Sequence, residues 1–149
     1  MEYHHLSRWT KISTPSIYRK VLQLSEKGYL QSDVVKGSKF ADKAVYSITD
    51  AGRTYFKELM ALYAAGPVPL LFDFNVVITN LNKMEKAEAA NLISTLRQSI
   101  QSSSDANEAY AKEFADIPLV GRTIFEQQRL LYNALLEWLN QFERQFSQK

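Results

Sequence analysis

The stretch STPSIYRKVLQLSEKGYL, residues 13–30, decides the fold. Ser13 or Thr14 can cap a helix, and Pro15 at the first helical position loses nothing by lacking an amide hydrogen. Ile17, Val21 and Leu24 then recur at i, i+4 and i+7, the spacing of one helix face. Gly28 supplies the left-handed residue that ends such a helix. A step of about 100° per residue puts Ser16, Arg19, Lys20, Gln23 and Glu26 on the opposite face. Tyr18 and Leu22 fall to one side of the apolar stripe.

Two short strands follow. Leu30 and Val34 within Tyr29 to Val35, and Ala44, Tyr46 and Ile48 within Lys43 to Ile48, alternate as one hairpin around the polar turn Lys36-Gly37-Ser38-Lys39. Thr49-Asp50 then caps a helix running to about Ala65. The order helix, basic-tipped hairpin, helix is the ending of a winged helix-turn-helix domain, whose helix enters the major groove and whose hairpin forms the wing. On that reading Arg19 can address guanine and Gln23 adenine, with Tyr18 and Lys20 beside them. Ser13, Thr14 and Ser16, near the helix N-terminus, meet phosphates. Lys36, Ser38, Lys39 and Lys43 surround the wing tip, where cations replace the counterions condensed on a duplex. A second reading stays open for all of them. Any amphipathic helix has a polar outer face, and lysine at a hairpin tip also discourages edge pairing.

Beyond Gly66, Pro67 and Pro69 the chain reads as helical. Val68 to Leu81 contains the apolar block LLFDFNVVI, and Glu85 to Ala115 carries Ala89, Leu92, Ile93, Leu96 and Ile100 on one stripe. Pro118 and Gly121 precede a last helix from Arg122 to Ser147. That helix has two adjacent stripes: Ile124, Leu131, Leu135, Trp138 and Phe142, and Phe125, Tyr132, Leu136 and Leu139. One neighbouring helix covers an apolar arc of only about 100°. Two stripes predict packing against the chain's own domain on one side and a second subunit on the other. Ile124, Phe125, Leu131, Tyr132, Leu135, Trp138, Leu139 and Phe142 are therefore the expected dimer contacts.

Charge and composition narrow the function classes. Residues 1–60 hold ten Lys and Arg against six Asp and Glu, and residues 61–149 hold eight against ten. A basic front on a mildly acidic back suits a polyanion-binding head. The chain has no cysteine, which excludes disulfides and thiolate metal sites and fits a reducing, cytoplasmic setting. No apolar run reaches the roughly 20 residues that cross a bilayer, and the opening MEYHHLSRW lacks the apolar core of a secretory leader. Paired carboxylates, a nucleophile elbow and a catalytic triad are all missing. The neighbouring His4 and His5 have no ligand set around them. The expectation is a protein that is not an enzyme and carries no cofactor or metal.

The run WTKISTPSIYRKVLQLSEKGYL, residues 9–30, followed by YSITDAGR, residues 46–53, is similar to the recognition helix, wing and following helix of PadR-type repressors. That family shows a SxIYR-like stretch, a LEEKGYL-like helix end and a Y-x-I-T-x-A-G exit from the wing. FDFNVVITNLNKM and IPLVGRTIFEQQ, with Trp138 beyond, resemble its helical dimerisation region. The resemblance implies a mainly α fold with a small β-hairpin: a winged helix-turn-helix domain over residues 1–66, then a helical dimerisation and effector domain over 67–149. It also implies a homodimeric, effector-responsive repressor on double-stranded operator DNA. A phenolic or other planar aromatic effector would sit among Phe72, Phe74, Trp138, Phe142 and Phe146, although each of these residues taken singly reads first as core or interface. Family members begin with a further apolar helix before the point where this sequence starts. The expectation is thus a partial head, with Tyr18 and Leu22 short of cover. The alternative is a dimerisation protein that sequesters full-length partners without binding DNA.

Overall fold

Pro15 and Gly28 bracket the first helix, α1 (Thr14–Glu26), in a computed structural model that describes residues 13–35 and 43–148. Lys36, Ser38 and Lys39 lie outside the described residues, as does everything before Ser13. The chain divides into two compact units, residues 1–69 and 70–149.

In the first unit α1 ends with Gly28 at φ 73°. The Gly28 amide donates to Ser25 O (2.9 Å) and the Tyr29 amide to Leu24 O (2.9 Å), the paired bonds of a Schellman motif. These close the helix and turn the chain straight into β1 (Leu30–Val35), which pairs antiparallel with β2 (Lys43–Ile48). The register sets Leu30 opposite Ile48, Ser32 opposite Tyr46 and Val34 opposite Ala44, so the expected apolar residues share one face. α2 (Asp50–Ala65) starts from Thr49. Its Oγ1 accepts the Gly52 amide at 3.0 Å and donates to Gly28 O at 2.8 Å, tying the start of α2 to the end of α1. Gly52 is obligatory at that junction. A Cβ there would lie 2.1 Å from Tyr29 O and 2.8 Å from Ile48 Cγ1. Tyr29 and Tyr55 stack over the same junction, with centroids 4.4 Å apart.

The second unit is a pair of long helices, α4 (Lys86–Glu113) and α5 (Leu119–Ser147), joined by five residues and packed along each other. At 1.5 Å per residue each runs about 42 Å. The core is Leu81, Ala89, Ile93, Ile100 and Leu139, with Leu92, Leu96, Tyr132, Leu135 and Leu136 packed around it. The α4 stripe read from the sequence is therefore the buried face. Arg97 reaches from α4 to Asn140 and Glu143 on α5, pinning the register of the two helices.

Two expectations need correction here. Residues 68–81 are not one helix: Pro67 and Pro69 hold the chain out of helical geometry. Only Asn75–Ile78 (α3) and a 3₁₀ turn at Leu81–Lys83 are regular. Val68, Leu70 and Leu71 are consequently exposed rather than packed. The last helix begins at Leu119 with Pro118 as its N-cap, so Gly121 lies inside it. Phe125 and Leu139, two of the expected dimer contacts, are buried within the single chain.

Candidate nucleic-acid interface

Four of the residues expected to face DNA occupy one row of α1. Ser16, Arg19, Lys20 and Gln23 stand at i, i+3, i+4 and i+7, which align on one helix face. Arg19, Lys20 and Gln23 are exposed and Ser16 is half-buried. No side-chain hydrogen bond or ion pair engages Arg19, Lys20 or Gln23 among the described residues, so these donors are available to a ligand. Ser13 is the N-cap, with extended backbone, but its Oγ bonds Ser16 Oγ (3.0 Å) instead of a backbone amide. The first-turn amides therefore keep no side-chain partner, and a helix start of that kind suits a phosphate oxygen. Thr14 lies in the same first turn. Ile17, Val21 and Leu24, on the reverse side, are half-buried.

Tyr18 stands beside the polar row at 71% exposure, and Leu22, one turn on, at 55%. On the hairpin, Lys43 is exposed at the first position of β2, paired with Val35. The Schellman turn, the Thr49 amide on Tyr29 O and the Thr49 Oγ1 bonds join α1, the hairpin and α2.

In the second unit the two stripes of α5 are unequally covered, though Leu135 and Phe142 of the one pack on the same core as Tyr132 and Leu136 of the other. Phe125 and Leu139 are buried and Tyr132 and Leu136 half-buried against α4. Of the other stripe, Leu131 is 41% and Trp138 37% exposed, while Ile124, Leu135 and Phe142 are half-buried. Phe72, Phe74, Trp138, Phe142 and Phe146 form a stacked ladder, with successive centroids 5.1, 6.0, 6.1 and 5.5 Å apart. Each ring covers the face of the next, so these aromatics pack on one another within the chain.

The whole chain is similar to solved structures of transcriptional regulators. One is Bacillus subtilis PadR in complex with operator DNA, with a TM-score of 0.76 at 13% identity over 93% of this chain and 81% of that one. The same protein in complex with p-coumaric acid gives 0.70 at 15% identity, over 94% and 81%. A PadR-like transcriptional regulator from Bacillus cereus gives 0.67 at 22% identity, over 93% and 80%. The chain has the PadR-type fold. No family model and no curated protein matches it.

Within this PadR-type fold some residues carried no signal in the sequence. Arg97 lies 43 residues from Asn140 and 46 from Glu143, and nothing local marks that clamp. Asn107 is buried between the long helices and donates from Nδ2 to Phe125 O at 3.0 Å. Arg129 donates from Nε (2.9 Å) and Nη2 (2.6 Å) to the two carboxylate oxygens of Glu126. These bonds hold the Glu126 carboxyl below its ordinary range. No cluster of three or more potential metal ligands occurs among the described residues, and no helix among them is long and apolar enough to cross a membrane.

Proposed function

We propose that this chain is a DNA-binding transcriptional regulator, acting as a homodimer that represses until an effector loosens its hold on an operator. Residues 1–66 form the head and residues 67–149 the dimerisation and effector part. The observation that carries the reading is the unengaged row Arg19, Lys20 and Gln23 on α1, rigidly joined to a hairpin with Lys43 at its base. A helix in the major groove can direct Arg19 to guanine and Gln23 to adenine, with Ser13, Thr14 and Ser16 on phosphates. Tyr18 and Lys20 flank them, and Lys36, Ser38, Lys39 and Lys43 follow the backbone as a wing. The likeness to a PadR bound to operator DNA supports the placement of the helix, and the likeness to a PadR bound to p-coumaric acid supports an effector step. The dimer is supported by the half-covered stripe of α5, where Leu131 and Trp138 still face outward. Two copies would set two heads on a pseudo-palindromic site.

The test is binding of the chain to fragments of its own promoter at two salt concentrations. Specific binding that weakens with salt is expected. Arg19→Ala or Gln23→Ala should cost about 1–3 kcal/mol on the specific site. Lys43→Gln should weaken all sequences alike and lower the salt slope by about one. Binding to no fragment at low salt, or specific binding indifferent to Arg19→Ala, would overturn the reading.

A further inference from the structure

We infer that the cleft at the loop end of the α4–α5 hairpin binds a free α-amino acid with an apolar side chain, held as its zwitterion. Asn107, on α4, is only 5% exposed. Its Nδ2 donates to Phe125 O, which leaves Oδ1 to accept. That Oδ1 is buried and has no hydrogen-bond partner. An empty buried acceptor costs the fold stability, and folded proteins hold few of them.

Asn107 lines a cleft of about 470 Å³, within the size range of small-molecule sites. Ala111, Ala115, Leu119 and Phe125 make its apolar wall, and four charged residues stand at its rim. Their pairing decides what fits. Glu126 and Arg129 join through two hydrogen bonds and neutralise each other. Glu108 and Arg122 remain. Both are exposed, and neither side chain makes a hydrogen bond or ion pair among the described residues. Glu108 reaches Arg129 through its charge alone. The cleft thus offers three unmet groups: a neutral acceptor, a carboxylate and a guanidinium. Oδ1 only accepts, so the group that meets it must donate. Asn107 and Glu108 are consecutive on α4 and both line the cleft, so a donor near Oδ1 also feels the Glu108 carboxylate. An ammonium suits that pair better than a hydroxyl, because its three N–H donors can serve both acceptors. Glu108 also offsets the cost of bringing a cation against apolar wall. Arg122 calls for a carboxylate. A lone anion would leave Glu108 unmet, and a lone cation would leave Arg122 unmet. A zwitterion meets both and keeps the cleft neutral. An α-amino acid carries its ammonium and carboxylate on one carbon, with the side chain left to lie on the alanines, Leu119 and Phe125. Binding of this kind does not depend on the regulatory reading above.

The test is titration calorimetry on the full chain, near neutral pH, with three probes. These are L-leucine, its analogue 4-methylpentanoate, which lacks the ammonium, and L-leucinamide, which lacks the carboxylate. Leucine should bind at least about tenfold tighter than 4-methylpentanoate, the scale of a hydrogen bond to a charged group. It should bind about three- to fivefold tighter than leucinamide, the scale of one exposed ion pair. Glu108→Gln should lower leucine affinity and leave that of 4-methylpentanoate unchanged. Arg122→Gln should lower leucine affinity and leave that of leucinamide unchanged. Asn107→Leu should narrow the gap between leucine and 4-methylpentanoate. Glu108 and Arg122 are exposed, so their variants decide the matter if Asn107→Leu fails to fold. Binding of either analogue as tightly as leucine would overturn the proposal. So would absence of leucine binding at millimolar concentration, or a preference for leucine that survives both Glu108→Gln and Arg122→Gln.

Discussion

The two units of this chain hold their shapes by different means. In the second unit, Leu81, Ala89, Ile93, Ile100, Phe125 and Leu139 are buried, and two long helices close over them. Among the described residues of the first unit the only buried one is Gly52. Tyr18, Leu22, Val45, Phe56 and Met60 are each more than half exposed. The head is kept in shape by backbone devices: a Schellman turn, a six-pair hairpin, a threonine cap and a glycine at a close approach. The body is kept by removal of apolar surface from water. A fold held mainly by local bonds opens locally at lower free energy than one held by a core.

The largest expected effect tests that contrast directly. Leu139→Ala removes a fully buried side chain from between α4 and α5 and should cost about 2–5 kcal/mol in urea unfolding. Leu22→Ala, at a site 55% exposed, should stay within about 0.5 kcal/mol. If Leu22→Ala proved as damaging as Leu139→Ala, the head would have a covered apolar face in solution and the contrast would fall.

A glycine carries the next effect. Gly52→Ala drives a methyl group into Tyr29 O and Ile48, so α2 must move away from the turn after α1. Overpacking of this kind costs about 1–3 kcal/mol. Hydrogen exchange should quicken through residues 43–65 while the amides of α4 and α5 keep their protection. Equal loosening of the long helices would mean that the two units unfold together.

The devices of the head were the legible ones, because each is local. Pro15, Gly28, Thr49 and the alternation in Lys43 to Ile48 announce themselves within a few residues of where they act. The Y-x-I-T-x-A-G pattern also has a physical reason: Thr49 is the latch and Gly52 the only residue that fits beneath Tyr29 O. In the body only periodicity was legible. It showed the α4 stripe, and it showed that α5 has two stripes, but not how far each is covered. That depends on the core, which takes Leu139 and Tyr132 from one stripe and Leu135 and Phe142 from the other and leaves Leu131 half-open. Apolar content without periodicity misled over residues 68–81, where two prolines outweigh LLFDFNVVI. The polar face of α1 was visible as a face, since spacing alone determines it. The bond between Asn107 and the Phe125 carbonyl was not visible. A single Asn107 in a polar helical run says nothing until Phe125, 18 residues later, folds back over it.

The smallest effect concerns charge, and it sharpens the comparison because it belongs to the body alone. The hydrogen bonds from Arg129, aided by its charge and opposed by slight desolvation, keep the Glu126 carboxyl below its ordinary value of 4.5. A carboxyl lowered in the folded state adds stability at pH values above its unfolded pKa, and that stability is lost as pH falls through the folded one. From neutral pH down to about 4.5 the contribution should therefore be constant, and below that it should fade. Glu126→Gln removes the titrating group, so its stability should decline less steeply on the acid side than that of the unaltered chain. Both side chains are about half exposed, so the difference is small and should shrink further in added salt. Urea midpoints measured down to about pH 3, with hydrogen exchange in the first turns of α5 as the local readout, give the comparison. Identical acid slopes for the two proteins would mean that the Glu126–Arg129 bridge contributes nothing to the fold.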